Sequence, residues 1–311
     1  MNSLRHLVLC LLFPCAALLR AEPPIARHVF IVSFDQGAPA GIAKADMPVF
    51  KNMVKQGAHT WEAYTIVPSI TLPSHTSMVT GVGIQKHQVD WNSLVPDKGV
   101  VKVPTIFSLA KKAGLVTAMV ASKPKFQTLN QPGSLDELLI PENPTSAAIA
   151  EAFSGMLGKL KPNLCLIHFG ETDTVGHQYG VFSPEKMKAF ADADAALGVI
   201  VEALRQAGLL DTSVIILTAD HGGHDLSPEE LIKLTKPGVA LGPGTHGSSS
   251  PDDVTIPWVA WGAGVRKGYS ITAPVLTYDT SATALWLLGV PVPESFWGRP
   301  VTTAFDRPAT P

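Results

Sequence analysis

The chain is poor in cysteine, poor in charge and short of long apolar runs. Three cysteines occur in 311 residues, and two of them, Cys10 and Cys15, fall in a segment that reads as a leader. Once that segment is removed, Cys165 alone remains and no intramolecular disulfide can form, which excludes a disulfide-stapled scaffold. Cys165 sits inside the apolar run 164–169, where a thiol packs as a small core side chain. Charged residues make up 16% of the chain and the formal net charge is −2, so no nucleic-acid-binding patch and no polybasic membrane surface is expected. Residues 7–19 are apolar but too few to cross a bilayer comfortably, and no later stretch is both long and apolar enough.

What is present at the N-terminus is a targeting pattern. Arg5 and His6 precede the apolar run, and small residues such as Ala17 and Ala21 offer cleavage points. We read 1–21 as a signal peptide and 22–311 as one domain, with no membrane span after cleavage. Pro14 before Cys15 argues against a lipoprotein site. Export without a disulfide points to a bacterial periplasm.

Strand-like and helix-like stretches alternate, the pattern of an α/β fold with a single, mostly parallel sheet flanked by helices on both faces. Strands are expected at 28–34, 115–121, 164–169, 214–218 and 256–261, and helices at 48–56, 74–80, 105–113, 185–207 and 280–288. Two stretches rich in Pro, Gly and Ser, 122–145 and 222–253, are expected as lids or pocket walls.

Metal-type residues fall where several of these strands end. Asp35 follows the first; Asp173 and His177 follow 164–169; Asp220 and His221 follow 214–218; His246 precedes the last strand. In open α/β sheets ligands bind beyond the carboxyl ends of the strands, so residues distant in sequence can meet there. Three Asp and three His suit two zinc ions, which take imidazole nitrogen and carboxylate oxygen. Thr71, two residues before Pro73, places a hydroxyl in a helix's first turn, where free N–H groups face an anion. Singly, each residue has a plainer use, as a cap, a surface pair or a turn residue. Their joint occurrence does not.

The ordered set Asp35, Thr71 within Thr-Leu-Pro-Ser-His and a following Thr-Gly, Asp173-x-x-x-His177, Asp220-His221-Gly222 and His246-Gly247 resembles the alkaline phosphatase superfamily, and within it the nucleotide pyrophosphatase/phosphodiesterase branch. The resemblance runs from about residue 28 to the C-terminal helix. It implies that Asp35, Thr71, Asp220 and His221 surround one Zn2+ and that Asp173, His177 and His246 hold a second. It further implies that Thr71 is the nucleophile and that hydrolysis of a small-molecule phosphate ester passes through a phospho-threonine. Where the branch carries Asn three residues after the nucleophile, this chain has Ser74, a shorter donor and a candidate substrate-binding residue.

Arginine is absent between Arg27 and Arg205. The gap removes the bidentate fork that suits a dianionic monoester and tilts the expectation toward phosphodiester or nucleotide pyrophosphate bonds. A phosphomonoesterase or phosphonate hydrolase with the same site is the alternative enzyme, and a secreted zinc-binding protein without turnover is the alternative outside enzymes. A sulfatase would need Cys or Ser in place of Thr71 and a nearby Arg. His75 and His87 are either supports or structural residues, His224 and Asp225 match no ligand position, and Trp91, Tyr179 and Trp258 are expected to pack rather than to stack on a base.

Overall fold

The computed structural model describes residues 24–234 and 242–306, so the expected signal peptide at 1–21 lies outside the described residues. The first half of the chain forms β1 (His28–Phe34), α1 (Pro39–Lys44), α2 (Pro48–Gln56), β2 (Ala58–Tyr64), α3 (Thr71–Thr80), α4 (Ile84–His87), α5 (Ile106–Lys112), β3 (Thr117–Val120), β4 (Glu137–Leu139) and α6 (Ser146–Leu157). Then come β5 (Leu164–Phe169), α7 (Glu171–Tyr179), α8 (Pro184–Gln206), β6 (Ser213–Ala219), β7 (His224–Asp225) and α9 (Pro228–Leu234). The last elements are β8 (Gly244–Thr245), α10 (Pro251–Val254), β9 (Thr255–Gly262), β10 (Tyr269–Ser270) and α11 (Asp279–Leu287).

Eight strands form one sheet in the order β10-β2-β9-β6-β1-β5-β3-β4, and β7 and β8 make a separate hairpin. β1, β5 and β6 lie side by side at the centre, with Val32 level with Ile167 on one side and with Leu217 on the other. Every residue of all three is buried, which is why their sequences read as unbroken apolar runs rather than alternating ones. Alternate side chains feed two cores. Ile31, Leu166 and Ile216 pack beneath Leu72, Ile106 and Leu285 of α3, α5 and α11. Phe30, Val32, Ile167 and Leu217 share the other face with Phe50, Phe153 and Phe190 of α2, α6 and α8.

All strands of the large sheet run one way except β9, which is antiparallel to both β2 and β6. β9 begins at the sheet end that β6 has reached and runs back along it, with Thr218 level with Trp258 and Val214 with Gly262. Local chemistry sets the helix ends. Thr105 and Ser108 form a reciprocal capping box on α5, Ser183 caps α8 ahead of Pro184, and Gly81 closes α3 in the left-handed conformation at φ 69°. α3 begins at Thr71, three residues earlier than the sequence suggests, because the turn that holds Pro73 is already helical.

β2, α6 and α7 extend the expected element set. Residues 122–145 form a packed wall carrying fully buried Phe126, and the described part of 222–253 holds β7, α9, β8 and α10. No helix among the described residues is long and apolar enough to cross a membrane.

Candidate metal centre and active site

Asp35 follows β1, α7 follows β5, Asp220 and His221 follow β6, and Thr71 opens the helix after β2. All of these lie at one end of the sheet, beside the central β1 where the connections change direction. The returning loop brings His246 to the same end. The ligand atoms of Asp173, His177 and His246 lie within 4.8 Å of one another, and so do those of Asp35, Asp173 and His221. Asp173 and His177 face the same way because they sit one turn apart on α7, with His177 Nε2 3.3 Å from Asp173 Oδ1. His246 Nε2 is 3.6 Å from the same oxygen and 3.2 Å from His177 Nε2. His221 Nε2 lies 3.4 Å from Asp35 Oδ1 and 3.3 Å from Asp220 Oδ2.

Each imidazole is oriented by a backbone carbonyl. His177 Nδ1 donates to Gly244 O at 2.9 Å, His221 Nδ1 to Gly222 O at 2.8 Å and His246 Nδ1 to Ser69 O at 2.9 Å. A carbonyl accepts only, so the proton of each neutral ring sits on Nδ1 and the Nε2 lone pair faces the cluster. Close backbone approach makes this arrangement possible. A Cβ on Gly244 would lie 2.0 Å from Gly176 O, on the helix that carries His177.

The donor set suits metal ions. Asp35 Oδ1, Asp173 Oδ1, Asp220 Oδ2 and His221 Nε2 are buried and make no hydrogen bond. Buried polar atoms are normally satisfied, and four that converge on one place call for a cation. Burial pushes the Asp220 carboxyl well above the usual range, and the neighbouring Asp35 charge adds to this. Burial also acts to raise Asp35 and Asp173, but Lys123 and the histidines beside them reverse it and hold both below the usual range. Burial together with the His246 ring takes His221 down to about 3. The Asp173 carboxylate beside it pulls His177 up.

Several side chains complete the site, and of these only His75 stood out in the sequence, as either a support or a structural residue. Lys123 Nζ lies 2.5 Å from Asp35 Oδ2 and 2.6 Å from Asp173 Oδ2. His168 Nε2 is 3.0 Å from Asp35 Oδ2, and as a polar residue inside β5 it carries a visible signal. His75 supports from below, with Nδ1 on Thr71 O at 2.9 Å and 3.4 Å from Asp220 Oδ2. Gln36 occupies the left-handed region at φ 58°, where its N–H donates to Asp220 Oδ1 at 3.2 Å and its Oε1 accepts from the buried Lys186 at 2.7 Å. Asn92 Oδ1 accepts from Leu72 N and from Lys125 Nζ, each at 2.9 Å.

Thr71 is almost wholly buried at the first position of α3. Ser74 is not brought to the cluster in the same way. It is fully buried, and its hydroxyl accepts from Thr65 Oγ1 at 3.2 Å. His87 bonds Ser77, His224 pairs with Asp253 at 2.7 Å, and Asp225 receives the N–H of Val181, all outside the cluster. Trp258 is a core residue that donates to Thr280, Trp91 is half-buried beneath Lys98, and Tyr179 is exposed.

Residues 29–237 match the family described as type I phosphodiesterase / nucleotide pyrophosphatase. Human ectonucleotide pyrophosphatase/phosphodiesterase family member 5 is 25% identical over 234 residues, covering 68% of this chain and 48% of that protein. Venom phosphodiesterase 2 of Crotalus adamanteus is 28% identical over 207 residues, covering 60% of this chain and 25% of its own length. The chain thus spans less than half the length of these curated relatives. A solved structure of human ectonucleotide pyrophosphatase/phosphodiesterase 5 has a TM-score of 0.73 at 19% identity, over 90% of this chain and 100% of that one. The murine protein, solved as an inactive threonine-to-alanine variant in complex with AMP, has a TM-score of 0.72 at 19% identity, with the same coverage.

Proposed function

Because the chain belongs to the type I phosphodiesterase/nucleotide pyrophosphatase family, we propose that it hydrolyses phosphodiester or nucleotide pyrophosphate bonds at this cluster, with Thr71 as nucleophile. In this reading Asp35, Thr71, Asp220 and His221 hold one zinc ion, and Asp173, His177 and His246 hold a second. The observation that carries it is the convergence of Asp35 Oδ1, Asp173 Oδ1, Asp220 Oδ2 and His221 Nε2, all buried and unbonded. When bound, zinc supplies positive charge opposite the phosphoryl oxygens and lowers the pKa of nearby hydroxyl groups and water.

The chain's own residues do the rest. Thr71 is held rigidly at the start of α3, so its oxygen can meet phosphorus without a search over conformers. The Thr71 oxygen–phosphorus bond forms as the bond from phosphorus to the leaving oxygen breaks, and the proton that Thr71 gives up passes through solvent to that leaving oxygen, giving a phospho-threonine and a free alcohol or phosphate. Water then attacks phosphorus, the phosphorus bond to the Thr71 oxygen breaks, that oxygen takes back the proton the water gives up, and the phosphate monoester departs. His75, bonded to Thr71 O and to Ser33 Oγ, fixes the helix that presents the nucleophile. Residues 1–21 direct export in this reading, to a bacterial periplasm.

A second reading, hydrolysis of dianionic monoesters, is favoured by Lys125. Its ammonium is partly buried, it bonds the neutral Asn92 amide beside Leu72, and among the described residues no carboxylate pairs with it. Such a cation suits the extra charge that the missing arginine would otherwise meet.

The test is to purify the protein, count bound zinc, and compare hydrolysis of aryl phosphodiester, phosphomonoester and sulfate substrates with a Thr71→Ala control. Zinc-loaded protein that turns over no ester sinks the enzyme reading. A preference for the monoester replaces the first substrate class by the second.

A further inference from the structure

Asp35 and Asp173 are divided carboxylates. In each, Oδ2 accepts from Lys123 Nζ, at 2.5 and 2.6 Å, while Oδ1 is buried and makes no hydrogen bond. Asp35 Oδ2 also meets His168 Nε2 at 3.0 Å, so that oxygen is fully engaged on the side away from His221. Lys123 follows the end of β3 by three residues, its side chain is 19% exposed, and it bridges the carboxylate after β1 to the one on α7.

Accepting the reading in which Asp35 and Asp173 are metal ligands, we propose that Lys123 is a built-in counter-ion that holds these two carboxylates together before metal arrives and weakens the hold on the metal that follows. Buried carboxylates close to one another repel and must be compensated. Among the described residues, Lys123 is the cationic side chain that pairs with Asp35 and Asp173, apart from the histidines. A divalent ion on the Oδ1 side draws on the same negative charge from the opposite direction. Like charges around a shared pair of carboxylates oppose each other strongly in a dry site. The lysine therefore favours a pre-assembled empty centre over the tightest binding, and it acts on both zinc sites because Asp35 belongs to one and Asp173 to the other. It is a positioning residue. A cavity of about 240 Å3 behind it, lined by Asn143, Thr145, Glu171 and Thr174, leaves room for a longer side chain of the same charge.

The experiment compares wild type, Lys123→Met, Lys123→Arg and Asp173→Asn. It reads the melting temperature of chelator-stripped protein and the zinc dissociation constant by competition with a chromophoric chelator. Lys123→Met should melt lower without metal yet bind zinc more tightly, by about tenfold or more, while Lys123→Arg stays close to wild type in both. Unchanged or weaker zinc binding by Lys123→Met overturns the proposal, whatever its melting temperature. If that variant does not fold without metal, folding restored by zinc supports the proposal. If zinc does not restore it, Lys123→Gln is measured against the same criterion. Wild-type protein that binds no zinc, or Asp173→Asn protein that binds it as wild type does, sinks the metal reading and the counter-ion with it. Zinc binding lost in Asp173→Asn but unchanged in Lys123→Met removes only the role of Lys123.

Discussion

His177 and His246 face each other with their Nε2 atoms 3.2 Å apart, while each ring's Nδ1 is committed to a backbone carbonyl. Two neutral imidazoles in this arrangement point lone pair at lone pair, which is repulsive unless a proton or a metal ion lies between them. One shared ion resolves the conflict. His246→Ala should therefore lower the zinc count from two per chain to one, with loss of turnover of about a hundredfold or more, and elemental analysis of the purified variant checks the count. Two zinc ions retained in His246→Ala would contradict the assignment.

Thr71→Ala removes the proposed nucleophile and leaves Asp35, Asp220 and His221 to hold the first ion. The side chain is small, and α3 is kept in place by Leu72 beneath it and by the capping Gly81. Turnover should fall by about a thousandfold or more, with melting temperature and zinc content near wild type. A phosphorylated Thr71 trapped by acid quench, seen as a mass increase on the peptide that contains it, would be absent from the variant.

Zinc binding should strengthen as pH rises. In the metal-free protein the Asp220 carboxyl is held well above its usual range by burial and by Asp35, and His177 is raised by the neighbouring Asp173 carboxylate. Both hold their protons to higher pH than such groups ordinarily do, and both must lose them to become ligands. Affinity measured by chelator competition should rise from about pH 6 to about pH 8, with protons released into the buffer. A flat profile would show that these groups do not change protonation on binding.

A separate pH effect lies outside the cluster. Burial pushes His87 from 6.5 down to about 4, where its ring bonds Ser77 Oγ and accepts from Val89 N, each at 3.0 Å. The unfolded chain takes up a proton near 6.5 and the folded one only near 4, so between those values the unfolded state binds more protons. Its contribution to stability is whole above 6.5 and is lost as pH falls, by about 1.4 kcal/mol per pH unit. His87→Gln should flatten the pH dependence of unfolding in urea over that window by this slope. An unchanged slope would place the protonation elsewhere.

The central strands and the residues next to them were legible because burial on both faces writes a continuous apolar run. Asp35, Asp220 and His221 stand directly after such runs. β2 escaped notice since Ala-His-Thr-Trp-Glu-Ala-Tyr is half exposed and polar, and its place beside β9 depends on residues two hundred positions away. Lys123 carried no local mark either. Its stretch of Pro, Gly and Ser suggested a loop at the site, but only the neighbouring of β3 and β5 shows which side chain reaches Asp35 and Asp173. The antiparallel sense of β9 was equally hidden, because a buried run reads the same in either direction.

That reversed strand governs how the segment before Thr71 is tied into the sheet. β2, which leads to Thr71, is bonded to the sheet through β9 and β10. The segment before Thr71 therefore gains its strand pairing only once β9, which ends at residue 262, is in place, although α3 itself rests on β1, where His75 meets Ser33. Asp35, Asp173 and Asp220 can be aligned by β1, β5 and β6 well before that. The strand before Thr71 is thus tied to the sheet by the most sequence-distant pairing among the strands that flank the cluster, whereas Asp35, Asp173 and Asp220 follow strands that pair with one another directly.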